Sequence, residues 1–340
     1  MTRRAPQSPG SGHGEDSHEE DAGPGRLSLL DRRLVFVTGK GGVGKTSVAT
    51  ALALLAAEQG RRTLLCEVDA KGDVASYLET GQTRFAEREV LPGLWAMSMD
   101  TEASLREYLK LNLRIPVAGR IGPLAKAFDF VATAAPGVRE ILTIGKFCYE
   151  VREGHYDLVV VDAAATGHII GQLAAPQAIN ELVRVGLVRS QTGWMLDILS
   201  DPALTGLAIV ATPEEMPVNE TLELAVRVAK ETTVELAAVV VNRVLPELFG
   251  RSEEAVFDRI CVPGALGHLE RIAGGDPTPV MEAARLAVTL RRNRAAHLDR
   301  LRAELDPAVP VMFLPELFTR THGLRTTRQV ARHLGEELAL

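Results

Sequence analysis

Apolar runs and helical stripes alternate along this chain from residue 34 to residue 315. Leu34-Val35-Phe36-Val37 is unbroken by any polar residue, as a parallel strand covered on both faces requires. Residues 47–59 follow with Val48, Ala49, Leu52, Leu55 and Ala56 on one side of a helix, and Gly60 stands where a helix end favours a left-handed residue. The alternation then repeats. Strands are expected at 63–68, 156–162, 207–211, 237–242 and 310–315, with a helix around 217–231 and charged helices over 252–304. Strands separated by helices predict an α/β fold, a doubly wound and mostly parallel sheet.

Residues 100–155 depart from this rhythm. Leu105, Leu109, Leu111 and Leu113, then Val138, Ile141, Leu142 and Ile144, recur at helical spacing, and Pro116, Pro123 and Pro136 cut the stretch. This predicts a helical subdomain inserted at about 100–155 into one domain spanning 27–340. Val330, Ala331, Leu334 and Leu338 share one side of a C-terminal helix. Glu336 and Glu337 beside them disfavour an anionic membrane, so this helix is expected to dock on the core. Residues 1–26 are rich in Ser, Gly, Pro, Glu and Asp, and a disordered tail is expected there.

Composition narrows the function classes. Of 340 residues, 46% are hydrophobic, enough for one large α/β domain. A net charge of −6 argues against a general nucleic-acid surface, so no nucleic-acid partner is expected. Cys66, Cys148 and Cys261 are scattered without a C-x-x-C pair, which leaves no paired-cysteine metal site and fits a reducing compartment. Met1-Thr2-Arg3-Arg4-Ala5-Pro6 leads into no apolar run, and no apolar stretch reaches the ~20 residues of a transmembrane helix. The expected location is cytoplasmic.

The chemistry sits between the first strand and the first helix. Gly39, Gly44, Lys45 and Thr46 fill the frame G-x-x-x-x-G-K-[ST], with Lys40, Gly41, Gly42 and Val43 inside it and Ser47 after it. The backbone N–H groups of such a loop wrap a phosphate chain, the lysine reaches the β/γ-phosphates and the hydroxyl ligates Mg²⁺. ATP and Mg²⁺ are the expected cofactors. By average usage the frame arises by chance in about 1% of chains this long, and the strand–loop–helix setting lowers that further. Ligands of a doubly wound sheet lie beyond the carboxyl ends of its strands. Asp69 and Asp162 close two of them. Asp162 is suited to the Mg²⁺ shell, and Asp69 to orienting water near a γ-phosphate.

Lys40, directly after the first glycine, narrows this further. K-G-G-V-G-K-T resembles the deviant phosphate loop of dimeric ATPases: partition and division-site proteins, nitrogenase iron protein and the arsenite-pump ATPases. Residues 162–168, Asp-Ala-Ala-Ala-Thr-Gly-His, resemble the D-T-A-P-T-G-H switch II of the arsenite-pump ATPases and of the eukaryotic ATPase that targets tail-anchored proteins. Asp69-Ala70-Lys71-Gly72-Asp73 stands where that family has its D-P-A-H switch I. Residues 211–221 resemble its T-x-P-E-x-x-P-x-x-E-T segment, Val241-Asn242-Arg243 its adenine-reading V-N-R/Q run, and the stretch from Leu314-Pro315 to Leu324 its adenine loop. The likeness runs over about residues 33–335.

The arsenite-pump resemblance implies an ATP-hydrolysing dimeric switch. Lys40 would cross the interface to the partner's nucleotide, Asp69 would position the attacking water, and Asn242 and the Pro315 loop would hold adenine. The dimer would form with itself or with a sister ATPase, and would act on a cargo or membrane partner. Neither the cysteine-pair clamp nor a Met-rich groove of the tail-anchor ATPase is seen, and the cysteine pattern does not support an arsenite site. Two alternatives stay open: a positioning ATPase of the partition type, and a weakly hydrolysing subunit of a heterodimer, given the altered switches.

Overall fold

The apolar runs become the centre of one eight-stranded sheet. The computed structural model describes residues 27–69, 72–113, 137–183, 185–247, 250–319 and 322–339. The strands are β1 (Leu34–Gly39), β2 (Thr63–Glu67), β3 (Arg88–Leu91), β4 (Leu94–Ser98), β5 (Leu158–Asp162), β6 (Thr205–Ala211), β7 (Leu236–Val244) and β8 (Val311–Pro315). Their order is β3-β4-β2-β5-β1-β6-β7-β8, and every neighbouring pair is parallel except β3 with β4. The helices are α1 (Lys45–Glu58), α2 (Asp73–Leu78), α3 (Thr101–Leu113), α4 (Val138–Glu153), α5 (Thr166–Leu182), α6 (Leu187–Ser200), α7 (Glu215–Glu231), α8 (Arg251–Ile260), α9 (Pro263–Ala273), α10 (Thr278–Glu304) and α11 (Leu324–Glu337).

The six expected strands are present, and two were not foreseen. β3 and β4 form a hairpin at the sheet edge; β3, Arg-Glu-Val-Leu, is mixed, whereas β4, Leu-Trp-Ala-Met-Ser, carries a four-residue apolar run that was not read as a strand. The first helix starts at Lys45, two residues before the expected start at Ser47, because the phosphate loop itself runs into its first turn.

Strand alternation divides the core into two layers. In β1, Leu34 and Phe36 face one side and Val35 and Val37 the other. Val35 and Val37 share their layer with Val48 and Leu52 of α1 and with Val330 and Leu334 of α11. Leu34 and Phe36 meet Phe147 of α4, Ile169 of α5, Met195 of α6 and Leu224 of α7. The end of α1 fulfils its sequence signal: Gly60 takes φ 85°, its N–H donates to Ala57 O and that of Arg61 to Ala56 O, which closes the last turn. Of the inserted helical unit expected over about 100–155, α3 and α4 mark the ends, while 114–136 lie outside the described residues. The tail expected at 1–26 lies outside them too. No described helix is long and apolar enough to cross a membrane.

The apolar side of α11 is covered by the core, as its pattern predicted. Leu334 is fully buried and Gly335 lies against Leu55 of α1. Leu334→Ala should therefore cost about 2–5 kcal/mol in urea unfolding. A loss under about 1 kcal/mol would mean that α11 is a peripheral helix.

Candidate nucleotide site

Two glycines make the loop after β1 sterically possible. A Cβ on Gly39 would stand 2.1 Å from the Val210 carbonyl oxygen of β6, and one on Gly44 2.4 Å from the Asn242 amide nitrogen of β7. Gly44 also sits at φ 95°, a left-handed conformation that side chains resist. Between them, Gly41 and Gly42 face open space, so nothing bars a ligand from the backbone. Gly44 offers α1 no side-chain cap, and the first-turn N–H groups of Lys45, Thr46 and Ser47 point out of the helix. A 14-residue helix adds its dipole there, and the whole arrangement attracts an anion. Lys45 Nζ lies 3.4 Å from the Lys40 carbonyl, across the loop.

Asp162 completes the floor. Its Oδ2 accepts from Thr46 Oγ1 at 2.7 Å, while Oδ1 is buried with no hydrogen-bond partner. Burial pushes its carboxyl up to about 6, with Glu67 and Asp73 adding to the rise, against Thr46 and Lys45. The segment behind it is pinned, since Ala163 N–H donates to Val37 O and Thr38 Oγ1 to Ala164 O. His168 is exposed in the first turn of α5.

Asp69 is exposed in the bend after β2, at the same sheet edge. Ala70 and Lys71 beside it lie outside the described residues. Glu67, which the sequence reading passed over, anchors this bend. It is buried opposite Asp162 in the ladder and accepts from Asp73 N–H and Ser98 Oγ, both at 3.0 Å. A carboxylate closing the apolar run Thr-Leu-Leu-Cys was the available signal. α11 holds the far side of α2: Thr327 Oγ1 donates to Tyr77 O and Leu324 N–H to Glu79.

Asn242 is buried at the end of β7. Its Nδ2 donates to Val43 O at 2.9 Å and its Oδ1 accepts from Arg243 N–H, so it fastens the phosphate loop, a role the sequence did not signal. One N–H and one lone pair of the amide remain. Pro315 ends β8 alongside Val244, at the same edge. Lys40 turns away from its own loop and pairs with Glu220 of α7.

The family model for anion-transporting ATPases matches residues 32–195 and 188–256, across the loop, Asp162 and Asn242. The chain belongs to the anion-transporting ATPase family. ATPase BagA of Mycobacterium tuberculosis is 34% identical over 234 residues, covering 66% of this chain and 68% of that protein. The arsenical pump-driving ATPase of Escherichia coli is 28% identical over 276 residues, 73% of this chain but only 46% of that protein. ATPase get3 of Neurospora crassa is 30% identical over 190 residues, 54% of this chain and 55% of its own. The chain is thus a nucleotide-driven ATPase that hydrolyses ATP.

The raised carboxyl of Asp162 makes this ATPase's stability depend on pH. Between about pH 4 and 6 the folded state keeps a proton that the unfolded carboxyl, ionising near 3.9, has lost. Stability therefore falls as pH rises through that window and stays lower above it. Asp162→Asn removes the penalty. Without nucleotide or divalent cation, its stability relative to the parent should improve by up to about 3 kcal/mol from pH 4 to pH 8. Equal differences at both pH values in thermal melts would refute the buried-carboxylate account.

Proposed function

We propose that the chain is a Mg-ATP-driven switch that closes a dimer, with itself or with a sister ATPase, and relays that closure to a cargo or membrane partner. The observation that carries the reading is the unpartnered, buried Oδ1 of Asp162 beside the Thr46 hydroxyl, at the foot of an open glycine loop. Two hard oxygen donors next to a phosphate cradle fit Mg²⁺, which keeps most of its own waters and binds through a few protein oxygens and the phosphates. Thr46 and Asp162 would hold the ion, which neutralises charge on the phosphates. The N–H groups of residues 41–47 would take the phosphate oxygens, and Lys45 would exchange the Lys40 carbonyl for the β/γ-phosphates. Asn242 would read adenine with the amide capacity left to it, flanked by Pro315.

Asp69, exposed at the strand tip, would accept a hydrogen bond from the attacking water and aim it at the γ-phosphorus. Water orientation acts in the transition state. Asp69→Asn should lower kcat on the order of 100-fold and leave nucleotide affinity by calorimetry within about twofold. Unchanged turnover would remove Asp69 from the reaction.

Lys40 would serve the partner's nucleotide. Half-exposed and already turned out of its own loop, it is available at the surface, and a charge-assisted contact to a partner's phosphate would make the ATP and ADP states differ in interface energy. Lys40→Ala should keep ATP binding by the subunit and lose the tightening of the dimer by an ATP analogue relative to ADP in light scattering, alone and with a sister chain. A parent-like response in both states would sink the inter-subunit role.

Arsenite is not proposed as the cargo. Cys66 and Cys148 are buried, and burial pushes both thiols up, away from the thiolate that binds arsenic.

A further inference from the structure

Among the described residues, Glu220 joins the phosphate loop to the segment behind Asp162. It lies near the start of α7, between the buried Val218 and Thr221, so its backbone is fixed on the core. Asn219 next to it is held by Arg300 of α10 at 2.6 Å. From this rigid base its Oε1 pairs with Lys40 Nζ and its Oε2 accepts from Thr166 Oγ1 at 3.2 Å. Lys40 is the second residue of the loop, and Thr166 is the first residue of α5, four positions after Asp162. One carboxylate thus bridges the two segments that a γ-phosphate would touch.

We propose that Glu220 is a positioning residue that parks Lys40 inside its own subunit and releases it only when a nucleotide-loaded partner competes for the lysine. The proposal rests on the dimer reading above and adds the restraint that keeps the dimer from closing without ATP. The physical basis is competition for one cation. A single carboxylate in a partly wet setting holds Lys40 weakly; a Mg-bound triphosphate presents more charge and bidentate oxygens, and can outbid it, whereas a diphosphate offers less. When Lys40 leaves, Glu220 keeps the neutral Thr166 hydroxyl, so the bridge between the loop and the start of α5 is cut at the loop end. An ion pair of this exposure is strong enough to bias an equilibrium and weak enough to be reversed.

The test compares Glu220→Gln with Thr166→Val and Lys40→Ala, each first shown by thermal melting to be folded. Gln keeps the acceptor for Thr166 and drops the ion pair. In the nucleotide-free protein, acylation of Lys40 by an amine-reactive ester, read by mass spectrometry, should rise about two- to fivefold in Glu220→Gln, with the exposed Lys230 as unchanged control. The preference of the dimer for ATP analogue over ADP should shrink by a similar factor. Thr166→Val should leave Lys40 labelling as in the parent, and Glu220→Gln should add nothing to Lys40→Ala. Should Glu220→Gln fail to fold, Glu220→Asp, too short to reach both partners, should give the same rise in labelling. Unchanged Lys40 labelling overturns the latch, as does a dimer shift of equal size with Lys40 already removed. If the parent forms no ATP-dependent dimer, the dimer reading falls by itself, and the labelling still decides whether Glu220 holds Lys40.

Discussion

The hydrogen bond from Thr46 to Asp162 is the contact on which this site depends. It ties the first turn of α1 to the tip of β5 and is possible only because β1 and β5 are adjacent and parallel, with Val37 level with Asp162. The bond satisfies one oxygen of a carboxylate that the fold has taken out of water, and leaves the other bare. Burial of a carboxylate without full compensation destabilises a fold. This chain carries that cost at the mouth of its glycine loop.

Around that contact, the loop is held by neighbours rather than by its own residues. Asn242 from β7 fastens the Val43 carbonyl, and the Val210 carbonyl of β6 presses so near Gly39 that no side chain fits. Thr38 fastens the segment after Asp162. The loop is therefore preorganised, and its backbone donors need little reordering to meet phosphate. The parts expected to respond to the γ-phosphate are held more lightly. Asp69 is exposed in a bend steadied by Glu67 at one end and by α11 through α2 at the other, and Lys40 rests on a half-exposed carboxylate. Rigid cradle and weakly held sensors are what a nucleotide switch needs: the first binds in every state, and the second change partners at small cost.

The same division explains what could be read from residues alone. The frame from Gly39 to Thr46 was legible because each position answers a local demand: left-handed backbone, absent side chains, a charge and a hydroxyl at set places. Asp162 stood out because it closes the run Leu158-Val159-Val160-Val161 directly before the segment that resembles switch II. The central strands and α1 were legible because burial on two faces or one leaves a period in the sequence. The β3–β4 hairpin was not, since β3 is a four-residue strand of mixed composition and β4, though buried on both faces, is only five residues long. Glu67 and Glu220 were not either. A glutamate in sequence carries no record of its partners, and theirs are Ser98 and Asp73 in one case and Lys40 and Thr166, 180 and 54 residues away, in the other.

By itself, then, the sequence determined the glycine frame, the alternation of strand and helix, the carboxylates near the strand ends and the family to which they point. Only the tertiary structure decided that Asn242 braces the loop, that Asp162 keeps one oxygen without a partner and is pushed up towards neutrality, and that Lys40 is held by its own subunit. The physical reason is range. Turn chemistry and hydrophobic periodicity act over a few residues and are written into neighbouring letters, whereas desolvation and charge pairing depend on which strand tips the sheet order β2-β5-β1-β6-β7 brings side by side.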